Sequence, residues 1–300
     1  MFSYRHAFHA GNHADVLKHL VLVASAAHLL QKDTAVHFFD THAGAGLYRL
    51  DGDYARTSGE ADEGFARLIK TLEGQAGQAI PSALQDYLAL VASFDSKGQR
   101  SVYPGSPFIL SRLMRPQDRL KLFELHPTDT KTLRANVAQL EAGTRISVSQ
   151  EDGFEALKKF LPPPSRRALV LCDPSYELKN DYARVSDMVA DALKRFATGT
   201  YLVWYPIIPR TEAHELPKRL KTLSERNERP WLNATLTVKS SKITRDEDGE
   251  LQRPGLPASG MWVINPPFTL ASQLDPALAL IAKHLAQNQH ASYSVESSAR

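Results

Sequence analysis

Two periods of apolar and polar positions alternate along the chain. Short apolar runs read as strands at Ala35–Asp40, Leu120–Leu125, Arg145–Val148, Ala168–Cys172 and Thr200–Pro206. Stretches with apolar positions every third or fourth residue read as helices over 14–31, from Ser106 to about Met114, Thr130–Leu140 and His214–Arg226. Asn12 suits the N-cap of the first helix, and Ser106 with Pro107 suits the start of the second. Asn233–Lys239 and Met261–Ile264 read as two final strands, separated by a charged, turn-rich segment over 245–257 that is expected to be mobile. Strands that alternate with helices predict an α/β fold built on a parallel sheet.

One stretch breaks the rhythm. Glu60–Leu72 and Pro81–Phe94 read as helices, and no strand pattern occurs between Asp40 and Leu120. That gap far exceeds an ordinary crossover. Residues 49–100 are therefore read as an inserted helical subdomain, and residues 1–48 with 101–286 as the domain that carries the sheet. The tail, 287–300, has little to bury and is expected to be loosely held.

Composition narrows the class. A single cysteine, Cys172, excludes a disulfide framework and a cysteine-based zinc site, and it suits a reducing, cytoplasmic setting. The longest apolar run, Leu20–Leu30, is interrupted by Ser25 and His28 and is too short to span a bilayer. The first residues lack the apolar core of a signal peptide. A net charge of +3 permits a nucleic-acid partner without requiring one. His6, His9, His13 and His19 invite a metal reading, but no acid or cysteine cluster completes a zinc ligand set, so no metal is expected.

The chemistry gathers at strand ends. Ala168-Leu169-Val170-Leu171-Cys172 reads as a strand buried on both faces, and it ends in Asp173-Pro174-Ser175-Tyr176. Asp40, Glu124 and Asp152 occupy equivalent places after other strands. All four acids then line one edge of one sheet, where open α/β sheets bind ligands. Asp40 leads into Thr41-His42-Ala43-Gly44-Ala45-Gly46, a small-residue loop that lets backbone approach a ligand, while a carboxylate such as Glu124 suits ribose hydroxyls. A dinucleotide and S-adenosylmethionine both fit this layout. Gly46 is followed by Leu47-Tyr48-Arg49-Leu50-Asp51-Gly52-Asp53, a poor helix start for holding a pyrophosphate, so the residues lean toward the methyl donor.

Asp173-Pro174-Ser175-Tyr176 resembles the Asp-Pro-Pro-Tyr motif of methyltransferases acting on the adenine amino group, with Ser175 in place of the second proline. The segment from Ser3 to His19, together with Asp40–Gly46, Tyr103–Pro107, Glu124–Pro127, Asp152–Phe154 and Ala258–Met261, is similar to the RlmJ family of 23S ribosomal RNA adenine N(6)-methyltransferases. The resemblance implies a Rossmann-like class I S-adenosylmethionine-dependent methyltransferase fold with an inserted helical subdomain. It also implies cofactor contacts from His19, His42, Ser106, Glu124, Asp152 and Gly153, which the residue reading extends to Asp40 and Gly44. Asp173 is implied as the catalytic acceptor, with Pro174 and Tyr176 beside it and Tyr4 on the RNA. Tyr176 is expected to stack on an extruded base. The expected partner is 23S ribosomal RNA, free of most proteins or early in assembly, and the chain is expected to act as a monomer away from membranes.

Other readings stay open: a DNA adenine methyltransferase, a non-catalytic RNA-binding protein that keeps the fold, and a dinucleotide enzyme. Asn265-Pro266-Pro267-Phe268 is a competing motif, which its place after the last strand argues against.

Overall fold

The computed structural model describes residues 6–52, 59–75, 77–95, 101–242, 244–245, 251–252 and 255–298. The chain opens with helix α1 (His13–Leu29), whose N-cap Asn12 accepts hydrogen bonds from the amides of Ala14 and Asp15. Strand β1 (His37–Asp40) follows, then the short strand β2 (Leu47–Arg49). Helices α2 (Glu60–Glu63), α3 (Phe65–Glu73) and α4 (Ser82–Ala92) precede strand β3 (Val102–Pro104), which pairs antiparallel with β2. Next come α5 (Ser106–Leu113), β4 (Arg119–Phe123), α6 (Pro127–Ala138), β5 (Ile146–Ser149) and the single turn α7 (Gly153–Ala156). Then β6 (Ala168–Cys172), α8 (Asp181–Arg195), β7 (Thr200–Ile207), α9 (Thr211–Arg226) and β8 (Trp231–Thr237) follow in turn. The two-residue strands β9 (Thr244–Arg245) and β10 (Leu251–Gln252), then β11 (Ala258–Ile264), α10 (Leu270–Leu285) and β12 (Ser292–Ser297), complete it.

Eight strands form one sheet in the order β12-β8-β11-β7-β6-β1-β4-β5. The five from β7 to β5 pair in parallel, and β11, β8 and β12 extend the sheet antiparallel. Strand β1 lies between β6 and β4, so the connections leaving it and reaching it diverge to opposite sides. That divergence opens a crevice at the carboxyl ends of the strands. The period of two divides each strand between two cores. Leu169 and Leu171 of β6 join the core under α1 and α10, whereas Ala168, Val170 and Cys172 join the one under α8 and α9. Among the described residues no helix is long and apolar enough to cross a membrane.

Several expectations are corrected in detail. The helix expected over Glu60–Leu72 breaks at Gly64, because a Cβ there would lie 2.2 Å from the Gly11 carbonyl, and Phe65 N donates to that same carbonyl at 2.7 Å. Apolar side chains of the inserted segment, such as Phe65, Leu68, Leu84 and Tyr87, join the same core as α1 and α10. Ser106 does not cap α5. Gly105 takes that place, with its amide donating to Gly46 O at 2.8 Å, and the Ser106 hydroxyl turns instead to Asp40. At the charged segment expected to be mobile, Arg245 pairs with Leu251 and Thr244 with Gln252 in the β9–β10 ladder, and residues 246–250 and 253–254 lie outside the described residues. The tail, expected to be loosely held, ends in the edge strand β12 along β8, with Tyr293 and Val295 packed on the core.

Candidate active site

The carboxyl ends of β6, β1 and β4 place Asp173, Asp40 and Glu124 on neighbouring strands. Asp152, the N-cap of α7, stands past the end of β5. A cavity of about 360 Å³ opens there, within the size range of small-molecule sites.

Its floor at β6 is ionic. Lys18, one turn into α1, reaches Asp173 Oδ2 at 2.5 Å and Asp15 Oδ1 at 2.7 Å. The other Asp15 oxygen accepts from Gly11 N at 2.9 Å and meets His6 Nε2 at 3.0 Å. Burial works against charge on Lys18, but Asp15 and Asp173 outweigh it and hold its pKa well above the usual lysine value. Burial likewise opposes charge on Asp15, and His6, Lys18 and His19 overcome it, so its pKa lies well below the usual carboxylate range. The Lys18 ammonium therefore fixes the Asp173 carboxyl group at the cavity wall. Pro174 and Ser175 continue that wall.

The wall at β1 and β4 is shaped by close backbone approach. Glu124 Oε2 accepts from Gly44 N at 2.8 Å and Oε1 from His126 N at 2.7 Å. Burial raises the Glu124 pKa against those two bonds. A partly desolvated carboxylate with lone pairs left facing a cavity suits vicinal hydroxyls. Gly44 has φ +59°, and a Cβ there would lie 2.4 Å from the Tyr48 hydroxyl. At the β5 side, a Cβ on Gly153 would fall 2.0 Å from the Thr41 carbonyl, so this turn and the loop after β1 touch through backbone alone. Asp152 accepts from Phe154 N at 3.1 Å and is paired with Arg184, whose guanidinium lies 4.3 Å from the Phe154 ring centroid. His42 meets Phe154 edge-on at 4.6 Å, and burial pushes its pKa down to about 4, so it is neutral near pH 7.

Asp173, Pro174, His42, Gly44, Ser106 and Glu124 line the cavity, as do Asp152 and Gly153. Three expected residues stand behind it. Asp40 is fully buried, with Ser106 donating to it at 2.7 Å and His42 N at 3.2 Å; burial pushes its pKa up to about 6. It braces the loop that presents Gly44. His19 is also fully buried, with Nδ1 2.8 Å from the Tyr103 hydroxyl. Tyr176, expected to offer its ring to a base, is turned into the second core instead. Its hydroxyl donates to Trp204 O at 2.6 Å, and its ring lies 4.6 Å from Tyr182. It adopts φ +54°, an uncommon conformation for a bulky residue, which turns the chain sharply beside Asp173. Tyr4 lies outside the described residues.

The competing motif falls at the other end of the sheet. Strand β11 runs antiparallel to β7, so its last residue, Ile264, pairs with Tyr201 near the start of β7. The Asn265 amide there donates to the carbonyls of Ala197 and Gly199 at 2.8 and 2.6 Å, as a structural clip.

Sequence reasoning gave no role to Lys18, Asp15, Thr41 or Arg184. Only the three-residue spacing of Asp15 and Lys18 on one helix hinted at their pairing. The histidines settle into ordinary polar ties: His9 to Glu60 at 2.9 Å, His13 to Leu256 O at 3.0 Å.

Comparison with known proteins agrees with this architecture. The family model described as "Ribosomal RNA large subunit methyltransferase D, RlmJ" matches residues 33–297. The chain is 43% identical over 278 residues to ribosomal RNA large subunit methyltransferase J of Escherichia coli (strain K12), covering 93% of this chain and 92% of that one. It is 39% identical over 297 residues to the protein of the same name from Haemophilus influenzae, covering 99% and 98%. Among solved structures, protein LPL1258 from Legionella pneumophila superposes with a TM-score of 0.83 at 30% identity, over 97% of this chain and 99% of that one. A five-stranded parallel core with its acids at one crevice, and a match spanning nearly the whole chain, make this protein a member of the RlmJ family of ribosomal RNA large subunit methyltransferases.

Proposed function

We propose that this protein methylates the exocyclic N(6) of one adenine in 23S ribosomal RNA, with S-adenosylmethionine as donor. The observation that carries the reading is the Lys18–Asp173 ion pair at the end of β6, one wall of a cavity whose opposite wall is built from Glu124, Gly44 and Asp152. The residues fit the donor. Glu124 would hold its ribose hydroxyls, Asp152 and Phe154 its adenine, and Ser106 with the loop after Asp40 its amino-acid end. When bound, the donor supplies an electrophilic methyl group on a sulfonium.

An adenine amino nitrogen is a poor nucleophile, because its lone pair is delocalised into the ring. The Asp173 carboxylate and the Pro174 carbonyl each accept one of its two hydrogens, which localises the lone pair on nitrogen instead of in the ring π system. This is catalysis by orientation and electrostatics, and it needs no prior proton removal. As the nitrogen–methyl bond forms, the sulfur–methyl bond would break with its electron pair kept on sulfur as a neutral thioether, and the one amino proton then surplus leaves by way of Asp173. Lys18 holds that carboxylate in position. The target base must leave its stack to reach this depth. With the Tyr176 ring in the core, the exposed side chains of Leu178 (65%) and Leu125 (40%), which line the same cavity, offer apolar surface to it.

The test is mass mapping of 23S ribosomal RNA from cells with and without the gene. One N(6)-methyladenine should vanish on deletion and return with the wild-type gene. An unchanged map overturns the substrate assignment, and methylation of duplex DNA in preference to RNA would redirect it.

A further inference from the structure

Parallel sheets are ordinarily covered on both faces and apolar throughout. The β4–β5 edge of this sheet departs from that rule on one face. Leu120, Leu122 and Ile146 point into the first core; of the alternate positions Phe123 joins the second core, but Arg119, Lys121, Ser147 and Ser149 are polar. A second cavity of about 210 Å³ opens there, walled by Phe160 and Pro164. Arg119, Lys121 and Arg145 line it together with His37, and no carboxylate does.

Lys121 is the centre of this site. Its ammonium sits 4.2 Å from the Phe160 ring centroid and 5.9 Å from that of Phe123, with Ser147 Oγ at 3.4 Å. Among the described residues neither Lys121 nor Arg145 forms an ion pair with a carboxylate. Arg119 binds the carbonyls of Pro116, Gln117 and Asp118, which satisfies donors but not charge. Burial first, and then Arg119, lower the pKa of His37 against an opposing pull from Asp118. Among the described residues three cations line this cavity and no carboxylate does, so an anion is the ligand whose charge complements it.

We infer that this face is a phosphate-binding site for backbone of the RNA substrate outside the target base, with Lys121 and Arg145 as its principal contacts. The inference rests on the RNA-methyltransferase reading above. The geometry allows both sites to serve one RNA. Lys121 lies three residues before Glu124 on the same strand, so the site stands about 10 Å below the crevice at 3.3 Å per residue. Phosphate contacts of this kind fix register without reading sequence.

The experiment compares the wild type, Lys121→Gln/Arg145→Gln and Lys121→Arg for binding to a fluorescent hairpin RNA across a salt series. Methyl transfer and donor binding are followed in parallel, and thermal melts confirm folding. The double variant should bind RNA about tenfold more weakly. The slope of log K against log salt should be shallower by about 1.4–1.8, for two contacts at about 0.7–0.9 each. Turnover at saturating RNA and donor affinity should match the wild type, and Lys121→Arg should bind like the wild type. Equal RNA affinity and equal salt slope for wild type and double variant overturn the inference. Inorganic phosphate that stabilises the wild type but not the double variant, with RNA affinity unaltered, assigns the pocket to a free anion and overturns it too. A wild type that binds no RNA overturns the underlying reading instead.

Discussion

Replacing Lys18 with methionine keeps the side chain's length and removes its charge. The two carboxylates then lose the cation that joins them, and Asp15 is left with His6. Side-chain exposure is 6% for Lys18, 2% for Asp15 and 15% for Asp173, so water screens neither pair well. Removing one member of such a buried set costs about 3–5 kcal/mol. At an unfolding entropy of about 2.1 cal/mol/K per residue, the 300 residues carry about 0.6 kcal/mol/K, so Tm falls by about 5–8 °C. The pH dependence has a definite sign. Asp15 has a folded-state pKa below its usual 3.8, so its contribution is present above that value and is lost as pH falls through the folded pKa. Lys18 has a folded-state pKa above its usual 10.5, so its contribution is present below that value and is lost only as pH rises through the folded pKa. Without Lys18, Asp15 accepts a proton more readily in the folded state. The variant's deficit should therefore be largest near pH 8 and shrink as pH drops toward about 4. Thermal melts followed by circular dichroism across that range measure it. A deficit under about 1 kcal/mol at neutral pH, the value of an exposed pair, or one that grows on acidification, refutes the ion-pair reasoning.

Two further substitutions probe the frame of the site. Gly153→Ala pushes a Cβ against the Thr41 carbonyl, where no flexible side chain can yield. It should cost about 1–3 kcal/mol in denaturant melts and weaken donor binding by calorimetry; full donor affinity would show that the crevice does not depend on this contact. Asn265→Ala removes the clip to Ala197 and Gly199 and should cost about 1–3 kcal/mol of stability. Its methyl transfer, assayed below the melting transition, should match the wild type, and a large loss there would reopen the second Asn-Pro-Pro-Phe motif as catalytic.

The frame of the fold was legible because its signals are local. Apolar runs ending in acids marked β1, β4 and β6, and the shared edge of their carboxyl ends followed from β/α alternation. The strand β12 was not legible, since Ser292–Ser297 alternates only two apolar residues among polar ones and gains its pairing from β8, far away in sequence. The burial of Lys18 was hidden for a similar reason. A lysine on a helix reads as solvated until the fold brings Asp173, 155 residues on, against it. Tyr176 was misplaced because a motif records which residues adjoin Asp173 and not which way the chain turns. The positive φ at Tyr176 sends its ring inward to Trp204, and no local pattern announces that turn. Asp40 and His19 were credited with direct contacts, but full burial makes them supports for the loop and helix that bear the contacts.

The central claim is that Asp173 accepts hydrogen from the amino group under attack. The most direct measurement is single-turnover methyl transfer to 23S ribosomal RNA by Asp173→Ala, with donor affinity measured on the same preparation. The rate should fall at least about a hundredfold, with donor affinity within about threefold of the wild type. A variant that binds the donor and still transfers methyl at near wild-type rate would contradict it.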